Sequence, residues 1–74
     1  MTETLPEWRL ADGSAVGCAE KLRLLAEAEA EIGERLLDAF EDAVLMGLDA
    51  ERVRARLAAF AALRIAALRS PLRG

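Results

Sequence analysis

The side chains able to do chemistry are few in this chain, and they are scattered along it. Cys18 is the only cysteine and stands just ahead of a long helix-forming run. Unpaired backbone amides at a helix start lower a thiol's pKa and favour the reactive thiolate. With no second Cys and no His to assist it, Cys18 is read as a small capping or semi-buried residue. Glu31 with Glu34, and Asp38 with Glu41, stand at carboxylate-ligand spacing. Helical di-metal sites, however, turn such acids inward and normally add His, whereas these fall on an outward face. The expectation is therefore no metal, no cofactor and no catalytic residue.

Arg52, Arg54 and Arg56 are the residues that would meet phosphates if the chain bound RNA or DNA. Alternate positions spread around a helix instead of forming one face, and a formal net charge of −3 opposes a nucleic-acid backbone. Nucleic-acid binding through these three arginines is the alternative function, not the leading one.

Two charges sit where apolar residues are expected. With Leu36 at zero and about 100° per residue, Glu29 falls at about 20°, inside the apolar stripe between Leu25 and Ile32. On the later helical run, with Leu57 at zero, Val53, Phe60, Ala61 and Leu68 lie within about 60°, and Arg64 sits among them at about 340°. If the chain folds back near Leu48, Glu29 and Arg64 are offset by about 4.5 Å along the axis, within reach of an Arg side chain. A partly buried Glu29 to Arg64 ion pair is expected, within the hairpin or across a dimer.

These residues must be positioned by helices. From Cys18 to Met46 no Pro intervenes, and apolar residues recur at Leu22, Leu25, Ile32, Leu36, Phe40 and Ala43, the spacing of an amphipathic helix. Gly47 supplies a left-handed helix end, Leu48 the apolar residue that follows it, and Asp49 the N-cap of the next helix. The reading is an all-α antiparallel hairpin over 18–74: a helix over about 18–46, a turn over 47–49 and a helix over about 50–69. Ser70 and Pro71 stop the second helix, and a short tail follows. Residues 1–17 differ, with Pro6, Gly13, Gly17 and the only Trp. Asp12-Gly13 predicts a two-residue turn in a mini-hairpin, with Leu10 facing Ala15 and Trp8 facing Gly17. So short a ribbon is unstable alone, and Trp8 must pack on a helix to hold it.

Charge is divided between the two helices. The first carries eight acids against three bases, most of the acids in one ridge, whereas residues 49–74 carry six Arg against two acids. The ridge is read as a solvated face, with the opposite charges favouring antiparallel docking.

Composition agrees with a small helical domain. Hydrophobic residues make up 54% of the 74 positions and charged ones 31%, too apolar for a disordered chain. Neither a secretory start nor an apolar run of the roughly 20 residues needed to span a bilayer is found. Nine Arg against one Lys, with abundant Ala, Leu and Gly, is what a GC-rich genome produces, so a bacterial cytoplasm is the expected address.

The second helix has more apolar circumference than one neighbour covers. Leu57, Phe60, Leu63, Ile65 and Leu68 span about 200° of arc. Chains this small usually need disulfides, metals or oligomerisation to be stable, and the first two are not expected here. The function read from the sequence is a small non-enzymatic protein–protein interaction module. It would be a homodimer closing into a four-helix bundle, or an accessory subunit of a larger protein. Phe60, Leu63, Ile65 and Leu68 form its contact face, and Trp8 caps the open end. A helical enzyme with an intersubunit site would need inward-facing Arg and Glu around a cavity, and only Glu29 and Arg64 qualify. Attachment of the basic apolar helix to an anionic membrane surface competes with core packing for the same residues.

Overall fold

The computed structural model describes residues 5–72. It contains two α-helices, α1 (Ala19–Leu45) and α2 (Ala50–Ala66), so the all-α expectation holds. The helix starts and the end of α1 agree with the expected positions to within one residue. The chain divides into two units, residues 1–32 and 33–74, with the boundary inside α1. Arg73 and Gly74 of the expected tail, and residues 1–4 of the N-terminal arm, lie outside the described residues.

In the first unit, the backbone around Asp12-Gly13 does turn back, but in a different register from the expected one. Gly13 N–H donates to the Leu10 carbonyl at 2.8 Å, and Leu10 N–H donates to the Ser14 carbonyl at 2.8 Å. The loop is therefore three residues long, Ala11 to Gly13, and Gly13 takes the positive φ (92°) that such bulged loops need at their last position. The consequence is a shift of one residue: Arg9, not Leu10, stands opposite Ala15, in a single isolated antiparallel bridge. The Asp12 carboxylate accepts from the Ser14 hydroxyl at 2.6 Å and from Ser14 N–H at 2.9 Å, and these bonds hold its pKa below the usual carboxylate value. Arg9 closes the outside, bonding to the Gly13 carbonyl and pairing with Glu7 at 2.9 Å.

Helix α1 begins after Cys18, whose carbonyl accepts the first helical bond from Leu22 N–H at 3.1 Å. Over its first turns Arg23 bridges Glu20 and Glu27, an i,i+3 and i,i+4 arrangement that stabilises an exposed helix by a few tenths of a kcal/mol per pair.

The second unit holds the helical hairpin. Gly47 adopts φ 99°, its N–H donates to the Val44 carbonyl at 2.9 Å, and Leu48 N–H donates to the Ala43 carbonyl at 3.1 Å. This pair of bonds is the Schellman termination, which satisfies carbonyls that the end of α1 would otherwise leave without partners. Asp49 then caps α2, its carboxylate accepting from Arg52 N–H at 3.0 Å. Glu51 in the first turn and Arg64 in the last both suit the helix dipole.

Between the two helical arms, Val53 is buried at 6% exposure. Phe40, Ala43, Ala50, Leu57 and Ala61 are half-buried around it. Three of these six are Ala, which lets the backbones approach closely. Helix α2 ends three residues earlier than expected. Ala67 N–H is shared between the Leu63 and Arg64 carbonyls, and Leu68 N–H closes a tight turn on Ile65 at 3.0 Å. Pro71, which has no N–H to give the Ala67 carbonyl, keeps the chain from continuing as helix beyond this turn.

Candidate interaction surface

The helix cap at Asp49 and the seam through Val53, Leu57 and Ala61 fix the rotation of α2, and with it the direction of every other side chain on that helix. Phe60, Leu63 and Ile65 lie off the seam and Leu68 lies past the helix end. They are 54%, 73%, 65% and 74% exposed, respectively. Phe60 and Leu68 were grouped with the seam by their wheel angles. In the structure they lie in the open with Leu63 and Ile65, so the four expected contact residues are exposed together in the second unit.

Two apolar grooves flank the hairpin seam. One, about 390 Å³, is lined by Leu36, Leu37, Phe40, Leu57, Ala58 and Ala61, with Arg54 at its edge. The other, about 410 Å³, runs past Ala39, Ala43, Leu48, Val53 and Leu57, with Arg52 and Arg56 along it. On the α2 wheel, Ile65 falls on the first flank at about 80°, whereas Phe60 and Leu63 fall on the second at about 300° and 240°. Helix α2 is thus apolar on both sides of its seam. Leu37 and Leu48 were not nominated from the sequence. Leu37 lies about 100° from Leu36, and the Leu36-Leu37 doublet was the available sign that the α1 stripe widens there.

The three arginines do not converge. Arg54 pairs with Glu51 at 3.2 Å, and its guanidinium lies 5.1 Å from the centre of the Phe40 ring, a distance suited to cation–π attraction. Arg52 and Arg56 line the opposite groove. Glu29 and Arg64 are both exposed, and among the described residues neither enters an ion pair.

Trp8 belongs to the first unit. It is 46% exposed and lines a shallow groove of about 300 Å³ with Glu7, Ala15, Val16 and Leu22, so the indole lies beside the start of α1. Cys18, also exposed, has its thiol pKa lowered by the backbone N–H of Lys21 and then that of Glu20, the amide effect anticipated for a residue at a helix start. Among the described residues no three His, Cys, Asp or Glu side chains group to hold a metal ion, and no helix is long and apolar enough to cross a membrane.

The chain matches no protein-family model, no curated protein and no solved structure. What it does has to be argued from its own surface. Exposed large apolar side chains occur on both helices: Leu24, Ile32, Leu37 and Leu45 on α1, and Phe60, Leu63 and Ile65 on α2, with Leu68 just past the end of α2.

Proposed function

We propose that this chain is a non-enzymatic protein–protein interaction module whose working face is the exposed side of α2. The observation that carries this reading is the joint exposure of Phe60, Leu63 and Ile65, on the two flanks of α2 beside its hairpin seam, and of Leu68 just past the helix end. Leaving such side chains in water forgoes on the order of 2 kcal/mol each. Exposed apolar patches mark binding surfaces, and an apolar groove lies on each flank of the seam here. An exposed apolar helix also explains why so small a chain has one strongly buried side chain, Val53, among its described residues: the missing core is completed by whatever docks. The arginine-based nucleic-acid reading draws less support, because Arg54 is engaged with Glu51 and Phe40 while Arg52 and Arg56 lie on the other flank.

The test combines sedimentation with an environment-sensitive apolar dye. The purified chain is expected either to sediment above the mass of a single 8.0 kDa chain or to bind the dye as a monomer. Leu63→Lys with Ile65→Lys should abolish whichever behaviour is found. A monomer at every concentration that binds no dye would overturn the reading.

A further inference from the structure

We propose that the groove beside Val53 receives an acidic amphipathic helix of another protein, whose carboxylates are held by Arg52 and Arg56. This rests on the interaction-module reading and names the partner's chemistry for one flank of α2. The residues that line the groove, from Ala39 to Leu57, all belong to the second unit. Its floor is apolar, with Val53 buried at the bottom and Ala39, Ala43, Leu48 and Leu57 around it. Ala39 and Ala43 stand one turn apart on α1, and their small side chains let a third helix lie close against the other two. An amphipathic helix set into an apolar groove is a recurring mode of recognition, held by anchors three and four residues apart.

The charges along the groove choose the partner. Arg52 and Arg56 stand one turn apart on α2 and both line it. With Leu57 at zero they fall at about 220° and 260°, on the flank that continues into Phe60 and Leu63. The strip from Arg52 to Leu63 runs about 16 Å along α2. The segment that matches it is therefore about three turns long, with carboxylates beside its apolar stripe at the end near the interhelical turn. Each guanidinium can take a carboxylate in a bidentate pair.

The neighbouring charges leave that pair of arginines available. Asp49 also lines the groove, but its carboxylate accepts from Arg52 N–H and caps the positive end of α2. On the α1 rim, with Leu36 at zero, Arg35 at about 260° and Asp42 at about 240° offset one another. Among the described residues neither Arg52 nor Arg56 enters an ion pair. The groove on the other flank differs, because the arginine at its edge, Arg54, is already engaged by Glu51 and the Phe40 ring. A nucleic acid would meet Arg52 and Arg56 with phosphates and leave the apolar floor uncovered, whereas an acidic amphipathic helix satisfies both.

The experiment selects for partner charge on the full chain. A display library of helical peptides about 14 residues long, about four turns, has Leu fixed along one stripe and the positions beside it randomised. It is sorted against wild type and against Arg52→Glu/Arg56→Glu, with circular dichroism on both. Arg52→Glu puts a Glu at the third helical position behind the Asp49 cap, which favours the helix start, so the fold should persist. Wild type is expected to enrich Asp and Glu beside the Leu stripe, and the double variant to enrich Lys and Arg there. A peptide chosen by wild type should bind the double variant at least about tenfold more weakly. Arg69→Glu, beyond the end of α2, should change its affinity by less than about twofold. If the double variant is unfolded, Arg52→Gln/Arg56→Gln reads the same contrast as a loss of acidic preference. Enrichment without acidic preference, or acidic peptides held equally by both proteins, would overturn the acidic partner and leave the interaction-module reading standing. Self-association of wild type that Arg52→Glu/Arg56→Glu abolishes would give the groove to a second copy and overturn it. So would a short RNA bound more tightly than any selected peptide and released by the same substitutions. No enrichment by wild type also overturns the proposal, and dye binding and sedimentation then decide separately whether the interaction-module reading survives.

Discussion

Cys18 shows how much a single backbone position sets. Its thiol lies at the start of α1 and receives the N–H groups of Lys21 and Glu20, which lower its pKa. In the unfolded chain those amides are not arranged around it, so the folded state holds the thiolate more readily. The contribution to stability is therefore present above the unfolded thiol's pKa, near 8.5, and is lost as pH falls through the lower folded value. Two outcomes are expected: Cys18 is alkylated by iodoacetamide at pH 7.5 faster than the same thiol in urea once urea's own effect on the reagent is subtracted, and stability rises with pH from the lowered folded value up to the unfolded thiol's value near 8.5. The chain has no His, so no other side chain ordinarily titrates in that range. Cys18→Ser, which keeps a capping oxygen, should remove the rise. An unchanged pH profile in that variant would show that the thiol contributes nothing. Asp12 works in the same direction at acid pH: the Ser14 hydroxyl depresses its pKa, so its stabilising effect is lost only as pH falls below the ordinary carboxylate range.

At the scale of elements, the turn between α1 and α2 was readable because its causes are local. Gly47, Leu48 and Asp49 each fit one backbone requirement, namely a positive φ, a capping N–H and a carboxylate at an N-cap. Gly47→Ala forces a Cβ into the left-handed region and should cost about 1 kcal/mol. Asp49→Ala loses the bond to Arg52 N–H and should also cost about 1 kcal/mol. Urea denaturation should show both as lower midpoints with unchanged slope, and a neutral Asp49→Ala would mean that water replaces the cap without loss. Two elements were misread. Helix α2 ended at Ala66 in a tight turn of Leu68 on Ile65, whereas the reading carried it to about Arg69, up to Ser70 and Pro71. Asp12-Gly13 was taken as the whole turn, although Gly13 at positive φ with Ala11 included makes a three-residue loop and moves every pairing by one. The seam itself was legible in part. Val53, Leu57 and Ala61 followed from helical periodicity, but Phe60 shares their angular range and is exposed, because its place depends on where the opposing arm lies and not on its own helix.

At the scale of the whole molecule, the contact face was legible as a surplus: more apolar arc on α2 than one neighbouring helix can cover. The identity of what covers it was not legible, because that depends on a second surface absent from any single-chain pattern. Thermal unfolding can separate the two contributions. If the folded unit is a dimer, its melting temperature must depend on protein concentration. Each tenfold dilution removes about 1.4 kcal/mol per dimer, or about 4–5 °C for roughly 150 residues unfolding together. Val53 lies in the hairpin seam, so Val53→Ala should lower the melting temperature by a similar amount at every concentration, reflecting about 1.5–2 kcal/mol per chain. Leu63 is 73% exposed in the single chain, so burial within one chain predicts almost no effect for Leu63→Ala. Burial against a partner predicts that Leu63→Ala weakens association and moves the concentration dependence to higher protein concentration. Calorimetry of the three proteins over a hundredfold range of concentration makes the comparison. Parallel, flat melting curves for wild type and Leu63→Ala would assign all of the stability to the single chain and leave the α2 face without a structural role.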